Sequence, residues 1–545
     1  MAKALRSGAG VSGGNPASAP AVPNASHVTN AANASTADWI AVAAGSLGAL
    51  LATLDISITN SALPQIQGQI GAAGTEGTWI STGYLMSEIV IIPLAAWLTR
   101  VFGLRRFLMW NAILFTVFSM MCGLSHSLAG MVVGRIGQGF AGGAMIPTAQ
   151  TIIRTRLPRH QMAIGMSAFG LIVLLGPLLG PVVGGWLTEN ADWRWCFFLN
   201  LPISVALVAL LYLGLKPERA SLQAFVKADW LGIAGLAIGL SSLTVLLEEG
   251  QRERWFESPM ITWLALISAA GILMMVVGQF TAKTPIVRLR LLLNKNFASV
   301  ILIVSTVGAG LYGVSYLLPQ FLATIAGYNA QQAGSIMLLS GLPAFLMMPI
   351  LPRMLGKFDS RWLVITGLLC FFGSCMPDIS LTTQSVGHDF IGSQILRGFG
   401  QILAMMPLNQ ASMAAVATHE AGDAAGLYNM ARNLGGSVGL ALLGTLIDRR
   451  NTYHDAVIRE SVSANSAIGQ EHISSSAAGF FAQHGDMAHA KLQALAQMAG
   501  EIARQAAVIT FSETFFVLGI ALLLCVPLAL LLKQPGAGTP VSSGH

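Results

Sequence analysis

Three charged residues lie inside long apolar runs, where an ionised side chain costs about 3 kcal/mol or more and is kept for a purpose. Asp55 stands in LDISITNSALP, Glu88 in YLMSEIVIIP and Arg135 in GRIGQGFAGGAMIP. Two acids and one guanidinium are the parts of a group that takes up and returns a proton. Burial and a neighbouring Arg pull a carboxylate's proton affinity in opposite directions, so its protonation follows its surroundings. For Asp55 and Arg135 the alternative is a buried pair that fixes helix register. Glu88 has no such obvious partner.

The elements that must position these residues are membrane spans. The 545-residue chain is 54% hydrophobic and only 10% charged, with a mean hydropathy of +0.65, which makes it an all-α polytopic membrane protein. Fourteen apolar runs are long enough to span, at about 39–62, 78–98, 107–125, 130–153, 162–187, 195–215, 229–248, 260–280, 297–319, 332–352, 361–381, 389–416, 424–447 and 506–532. Lys and Arg set the orientation: with the N-terminus inside, cytoplasmic segments hold 19 and external loops 8, five of them in the long loop 448–505. Both termini are therefore expected in the cytoplasm. At 1.5 Å per residue, Asp55 and Arg135 lie roughly 10 and 8 Å below the outer surface, and Glu88 roughly 15 Å. Loop placement explains most of the net charge of +6, so it does not indicate nucleic acid. The five cysteines all lie in apolar runs with no metal-ligand spacing.

Spans 4 and 12 echo each other: Arg135, Gln138 and Gly139 against Arg397, Gly400 and Gln401. Span 2 leads into the basic turn Arg100 to Arg106, and span 10 into Arg353, Lys357 and Arg361. Setting spans 7 and 8 aside as an insertion leaves six plus six, an arrangement that places a substrate site between the halves. The expected division is 1–36, a disordered cytoplasmic tail; 37–216, an N-terminal six-helix bundle; 217–296, two inserted spans and linkers beside the bundles; 297–532, a C-terminal six-helix bundle with the external loop 448–505; and 533–545, a cytoplasmic tail. An amphipathic helix is expected near 486–505. Span 5 carries GPLLGPVVGG, with Gly176, Gly180 and Gly184 four apart on one face for close helix approach, and Pro177 and Pro181 bending it.

Together LDISITNSALP, GRIGQGFAGGAMIP, GPLLGPVVGG and WRWCFFLNLPI (193–203) resemble the fourteen-span drug:proton antiporters of the major facilitator superfamily, the EmrB/QacA group. The resemblance implies the major facilitator fold, efflux of bulky amphipathic drugs by alternating access, protons as the coupling ion and no other cofactor. It assigns Asp55 to the acidic position of the span 1 motif and Arg135, Gln138 and Gly139 to the span 4 motif, whose Arg handles protons. Gly176, Pro177, Gly180, Pro181, Gly184 and Gly185 match the antiporter motif, although Ser167 stands where the family pattern has a glycine. The loop between spans 2 and 3 departs further: Arg100 replaces the family's acidic latch residue, while Gly103, Arg105 and Arg106 remain. The resemblance also implies a bacterial inner-membrane location, and allows a periplasmic adaptor as partner, which no motif here demonstrates.

In the second half Arg397, Asp378 and Arg432 are the membrane charges, and Gln401, Asn409 and Gln410 are amides that could line a substrate cavity with Met and aromatic side chains. An enzyme is the rival class, but the ten histidines lie in loops, tails or span ends and form no triad or ligand cluster. GxxxxGK[ST] is absent, so ATP is not the expected energy source. The nearer rival is a proton-coupled importer of a small nutrient on the same fold.

Overall fold

The computed structural model describes residues 33–72, 76–218, 220–282, 285–347, 349–461, 467–484 and 486–532. Most of the expected tail 1–36, and all of 533–545, lie outside the described residues.

Every regular element among the described residues is a helix. The first half comprises α1 (Thr36–Ile70), α2 (Trp79–Phe102), α3 (Leu104–Gly123), α4 (Leu128–Gly142), α5 (Met145–Arg156), α6 (Arg159–Asn190), α7 (Trp195–Phe198) and α8 (Asn200–Gly214). A short α9 (Leu222–Val226) precedes α10 (Trp230–Glu249) and α11 (Pro259–Thr281), which are the inserted spans. The second half comprises α12 (Lys295–Thr324), α13 (Ala330–Leu338), α14 (Leu342–Met347), α15 (Leu351–Lys357), α16 (Ser360–Cys375), α17 (Ile391–Ala414), α18 (Ala421–Ser461), α19 (Ala467–His484), α20 (Met487–Leu524) and α21 (Val526–Ala529).

Eleven helices are long and apolar enough to cross a membrane, or twelve if Gln331–Met347 and Leu351–Lys357, bent by 58°, form one span. The other two expected spans are present as helices. One is broken at Gly143 into α4 and α5, and the other, α17, carries Arg397, Gln394, Gln401, Asn409 and Gln410. Fourteen spans are compatible with this set. The segment 448–505 is helical in all its described residues but Asp486: α18 runs on to Ser461, α19 follows, and α20 begins at Met487.

The two ends of the bundle differ. One, the basic face, gathers Arg100, Arg156 and Arg288 with the turns that join α2 to α3 and α17 to α18. The other, the hairpin face, carries the helical segment 448–505. A buried core fills the first half and continues through Met162 and Met166 into Met406, Met413 and Ala425. A second core fills the other half. A third contains Ile89 and Val90 of α2, Leu236 and Leu240 of α10, and Leu427 of α18. The inserted α10 therefore fills the seam where the halves meet instead of standing beside them. α11 packs on it through glycines: a Cβ on Gly271 would come 2.4 Å from the Gly239 nitrogen.

Candidate functional site

Asp55 is the centre of a buried polar knot. Arg135 Nη1 donates to its Oδ2 at 2.5 Å, while Gln138 Nε2 and Asn200 Nδ2 donate to Oδ1 at 3.0 and 2.6 Å. Arg135 and Gln138 are three apart on α4 and so share a face. The guanidinium makes further contacts: Nε donates to the Ile80 carbonyl at 3.2 Å, Nη1 also reaches Gln138 Oε1 at 3.1 Å, and the group lies 4.3 Å from the Tyr84 ring centroid. Asn200 also donates to Ser119 Oγ, which donates to the Phe197 carbonyl at 2.8 Å. A buried ion pair is tolerable only when its remaining donors and acceptors are answered, and here the carboxylate accepts from three side chains.

Glu88 is not bonded into that knot. Its Oε1 accepts from Asn433 Nδ2 of α18 at 3.3 Å, across the seam between the halves. Asn433 Oδ1 in turn accepts from Tyr312 on α12 at 3.4 Å and from Arg432 at 3.2 Å. The three residues grouped from sequence thus form two sites: an inward-tied pair, Asp55 and Arg135, and a carboxylate tied to the opposite half. Tyr84, one turn from Glu88 on α2, stands between them with its ring under Arg135.

The glycines and prolines of α6 answer to α1. A Cβ on Gly176, Gly180 or Gly184 would fall 2.2–2.3 Å from Thr53 Oγ1, Ser57 Oγ or Ser61 Oγ, respectively. Those three α1 residues are themselves four apart, so two small-residue stripes run in contact. The prolines add a second bond between the stripes. Pro177 has no N–H for the Val173 carbonyl, and Pro181 none for the Pro177 carbonyl. Ser57 Oγ donates to the second at 3.3 Å, and Thr53 Oγ1 lies 3.4 Å from the first while sharing its one proton with the nearer Ala49 and Leu50 carbonyls. A hydroxyl of α1 thus stands at each carbonyl that these two prolines free. Gly185 faces open space.

On the basic face Gly103 has φ +80° in the turn between α2 and α3, and a Cβ there would press on Glu218 at 3.2 Å. Arg105 stacks 4.3 Å from the Tyr212 ring, and Arg106 is exposed. Arg100 reaches across the halves: its Nη1 lies 3.3 Å from Asp423 Oδ2 at the start of α18. Arg288, from the linker after the inserted spans, meets the same carboxylate at 3.2 Å and Glu420 at 2.9 Å. Deeper, Asn429 Nδ2 donates to Gln150 Oε1 at 2.7 Å, again between halves. Ion pairs thus join the two halves at the basic-face end, with a cation on α2 and the acid on α18.

In the second half Arg397 Nη2 pairs with Asp378 Oδ2 at 2.9 Å, both buried. Arg397 Nε and Nη1, Asn409 Oδ1 and Gln410 Oε1 are buried without a hydrogen-bond partner among the described residues, and Gln401 is partly buried on the same helix. Sequence reasoning missed Asn200, Asn433 and the neighbouring Glu248 and Glu249. Asn200 lay in plain view in LNLP, an amide inside an apolar run. The two glutamates stood at a span end, where acids ordinarily mark a boundary.

The Major Facilitator Superfamily model matches residues 45–440. This chain belongs to that superfamily. It is an integral membrane protein of the EmrB type within the Major Facilitator Superfamily. It is 33% identical over 436 residues to the colistin resistance protein EmrB of Acinetobacter baumannii, covering 80% of this chain and 85% of that one. It is 30% identical over 508 residues to the multidrug export protein EmrB of Escherichia coli, covering 92% and 96%. Among solved structures, the proton:xylose symporter XylE superposes with a TM-score of 0.58 at 14% identity, covering 91% of this chain and 96% of that one. That likeness shows the fold alone, a major facilitator architecture.

Proposed function

We propose that this chain is a proton-coupled efflux transporter that exports bulky amphipathic toxic compounds by alternating access, acting as a carrier rather than an enzyme. The relatives' names, multidrug export and colistin resistance, supply the direction and the substrate class. The observation that carries the coupling is Glu88, a buried carboxylate whose hydrogen-bond partner, Asn433, belongs to the other half. Parting the seam breaks that bond and exposes the acid to water, so its protonation is tied to which way the protein faces. Asp55 with Arg135 is the second member of the coupling pair.

In this reading the basic face is cytoplasmic, as Lys and Arg dictate, and the protein lies in the inner membrane of a bacterium. The α1–α6 interface keeps the first half rigid. The latch of Arg100 and Arg288 on Asp423 closes the cytoplasmic end and opens when substrate loads from inside. Arg397, Gln401, Asn409 and Gln410 supply polar contacts in the second half. A periplasmic adaptor is the partner to seek in a two-membrane cell. A membrane potential of 100 mV supplies about 2.3 kcal/mol per charge, and half a pH unit adds about 0.7 kcal/mol. One proton then sustains roughly a hundredfold gradient of a neutral compound.

The test is survival of an exporter-deficient strain with and without this gene, against a panel of toxic lipophilic cations and anions. Raised survival together with lowered intracellular accumulation is expected for at least one class. No shift for any compound would favour the nutrient-importer reading.

A further inference from the structure

Glu248 and Glu249 are neighbours on α10 with opposite surroundings. Glu249 is buried and fully answered: Thr78 and Thr82 each donate to its Oε1 at 3.1 Å, and Arg252 Nη1 lies 2.7 Å from Oε2. It clamps the inserted helix to α2. Glu248 accepts a bond from a neutral donor, Ser437 Oγ of α18, at 3.0 Å, and no Lys or Arg among the described residues lies within ion-pair distance of it.

Ser437 follows Asn433 by four residues and so lies on the same stripe of α18. One stripe therefore holds two carboxylates from different helices, Glu248 of α10 and Glu88 of α2, each through an uncharged donor. The other charged and titratable groups facing this place are Tyr312 on α12, Arg432 on α18, and Tyr84 with Arg135 beyond Glu88. Arg252 holds Glu249 and Arg135 holds Asp55, while Arg432, bonded to the neutral Asn433, turns its charge toward Glu88 and not toward Glu248. Beside Glu88 the Tyr84 hydroxyl is buried without a hydrogen-bond partner among the described residues, and Gly142 and Gly143 let α4 and α5 press directly on Tyr84 and Glu88.

Glu248 is half-buried, and a carboxylate partly withdrawn from water with a single neutral hydrogen bond favours protonation or a cationic partner. We propose that Glu248 is a second site for one positive charge on the transport path, on the hairpin-face side of Glu88, and that the inserted helix is thereby part of the path. The role rests on the transport reading above. The charge arrives as a proton, transferred from hydronium to a Glu248 carboxylate oxygen with release of water, or as the ammonium head of a substrate. Neither breaks a covalent bond of the protein.

The experiment uses purified full-length protein and has two arms. Infrared pH titration follows the C=O stretch of protonated buried carboxyls in wild type, Glu248→Gln, Glu88→Gln and Glu249→Gln. Binding of benzalkonium, a lipophilic quaternary ammonium, and of oleate, a lipophilic anion, is measured on the same proteins. If the charge is a proton, Glu248→Gln removes one titrating carboxyl band, Glu249→Gln keeps that band and shifts its titration, and Glu88→Gln keeps it. If the charge is a substrate head, Glu248→Gln weakens benzalkonium binding about tenfold and leaves oleate binding unchanged. Ser437→Ala keeps the acid and should shift the same readout by a smaller amount, which guards against misfolding of the Gln variant. A Glu248→Gln protein that folds, keeps every carboxyl band and binds benzalkonium as wild type does would overturn the proposal. Wild-type vesicles that export no compound tested would sink the transport reading instead, because neither arm here measures export.

Discussion

Arg135 on α4 and Arg397 on α17 hold corresponding places in the two halves, and each is paired with a buried aspartate, yet their surroundings differ. Arg135 also donates to a backbone carbonyl and to Gln138, and it lies on the Tyr84 ring. Arg397 has its ion pair, a distant aromatic at 6.0 Å, and two buried N–H groups without a partner. The first arginine is consumed in holding one geometry. The second keeps donors in reserve, and about 18 Å further along α17 Asn409 and Gln410 keep acceptors unanswered, which is how a binding surface differs from a joint. Under the proposed function, the comparison places coupling and rigidity in the first half and substrate contact in the second.

The largest expected effect comes from conservative replacement at both places. Lysine keeps the charge but loses the planar fork. Arg135→Lys gives up the bonds to Ile80 and Gln138 and the stacking, so it should cost about 2–4 kcal/mol of stability at 1.5–3 kcal/mol per charged hydrogen bond. Arg397→Lys gives up groups that bond nothing and should cost about 1 kcal/mol or less while altering substrate affinity. Unfolding in detergent and binding assays check both, and equal losses at the two sites would erase the contrast.

A second contrast lies inside the first half. Gly180→Ala drives a methyl into Ser57 and should cost about 1–3 kcal/mol, whereas Gly185→Ala meets nothing and should be silent. Thermal unfolding of the two variants separates a contact glycine from a bystander.

Much of the first half was legible because charges stand out against an apolar run: Asp55, Glu88 and Arg135 needed only hydropathy and depth. The stripe Gly176, Gly180 and Gly184 was legible as a contact face, but its partner was not, since Thr53, Ser57 and Ser61 read as ordinary small polar residues until the structure sets them against those glycines. Glu88 was grouped with Asp55 because depth along a helix is readable from sequence and azimuth between helices is not. Its bond partner is Asn433, from a helix 345 positions away in the chain. Arg100 was seen to break the family pattern, and only the structure shows that an acid, Asp423, faces it from the other half.

The smallest expected effect concerns that latch. Arg100 is 43% exposed in its side chain, so its pair with Asp423 should contribute less than about 1 kcal/mol. It should instead bias which face is closed. Arg100→Asp should raise cysteine-reagent access to the seam from the basic face, and Asp423→Asn, which removes the partner of both Arg100 and Arg288, should raise it as well. Unchanged access in both variants would remove the latch from the account.

The central claim is that the membrane acids couple export to protons. The most direct measurement is substrate-induced proton release from proteoliposomes carrying wild type or the Asp55→Asn, Glu88→Gln double variant, with uphill export and downhill exchange followed in parallel. Wild type should release protons on substrate addition; the double variant should lose that release and all uphill export while keeping some downhill exchange. Uphill export at the normal rate with normal proton release in the double variant would contradict the claim and leave both acids structural.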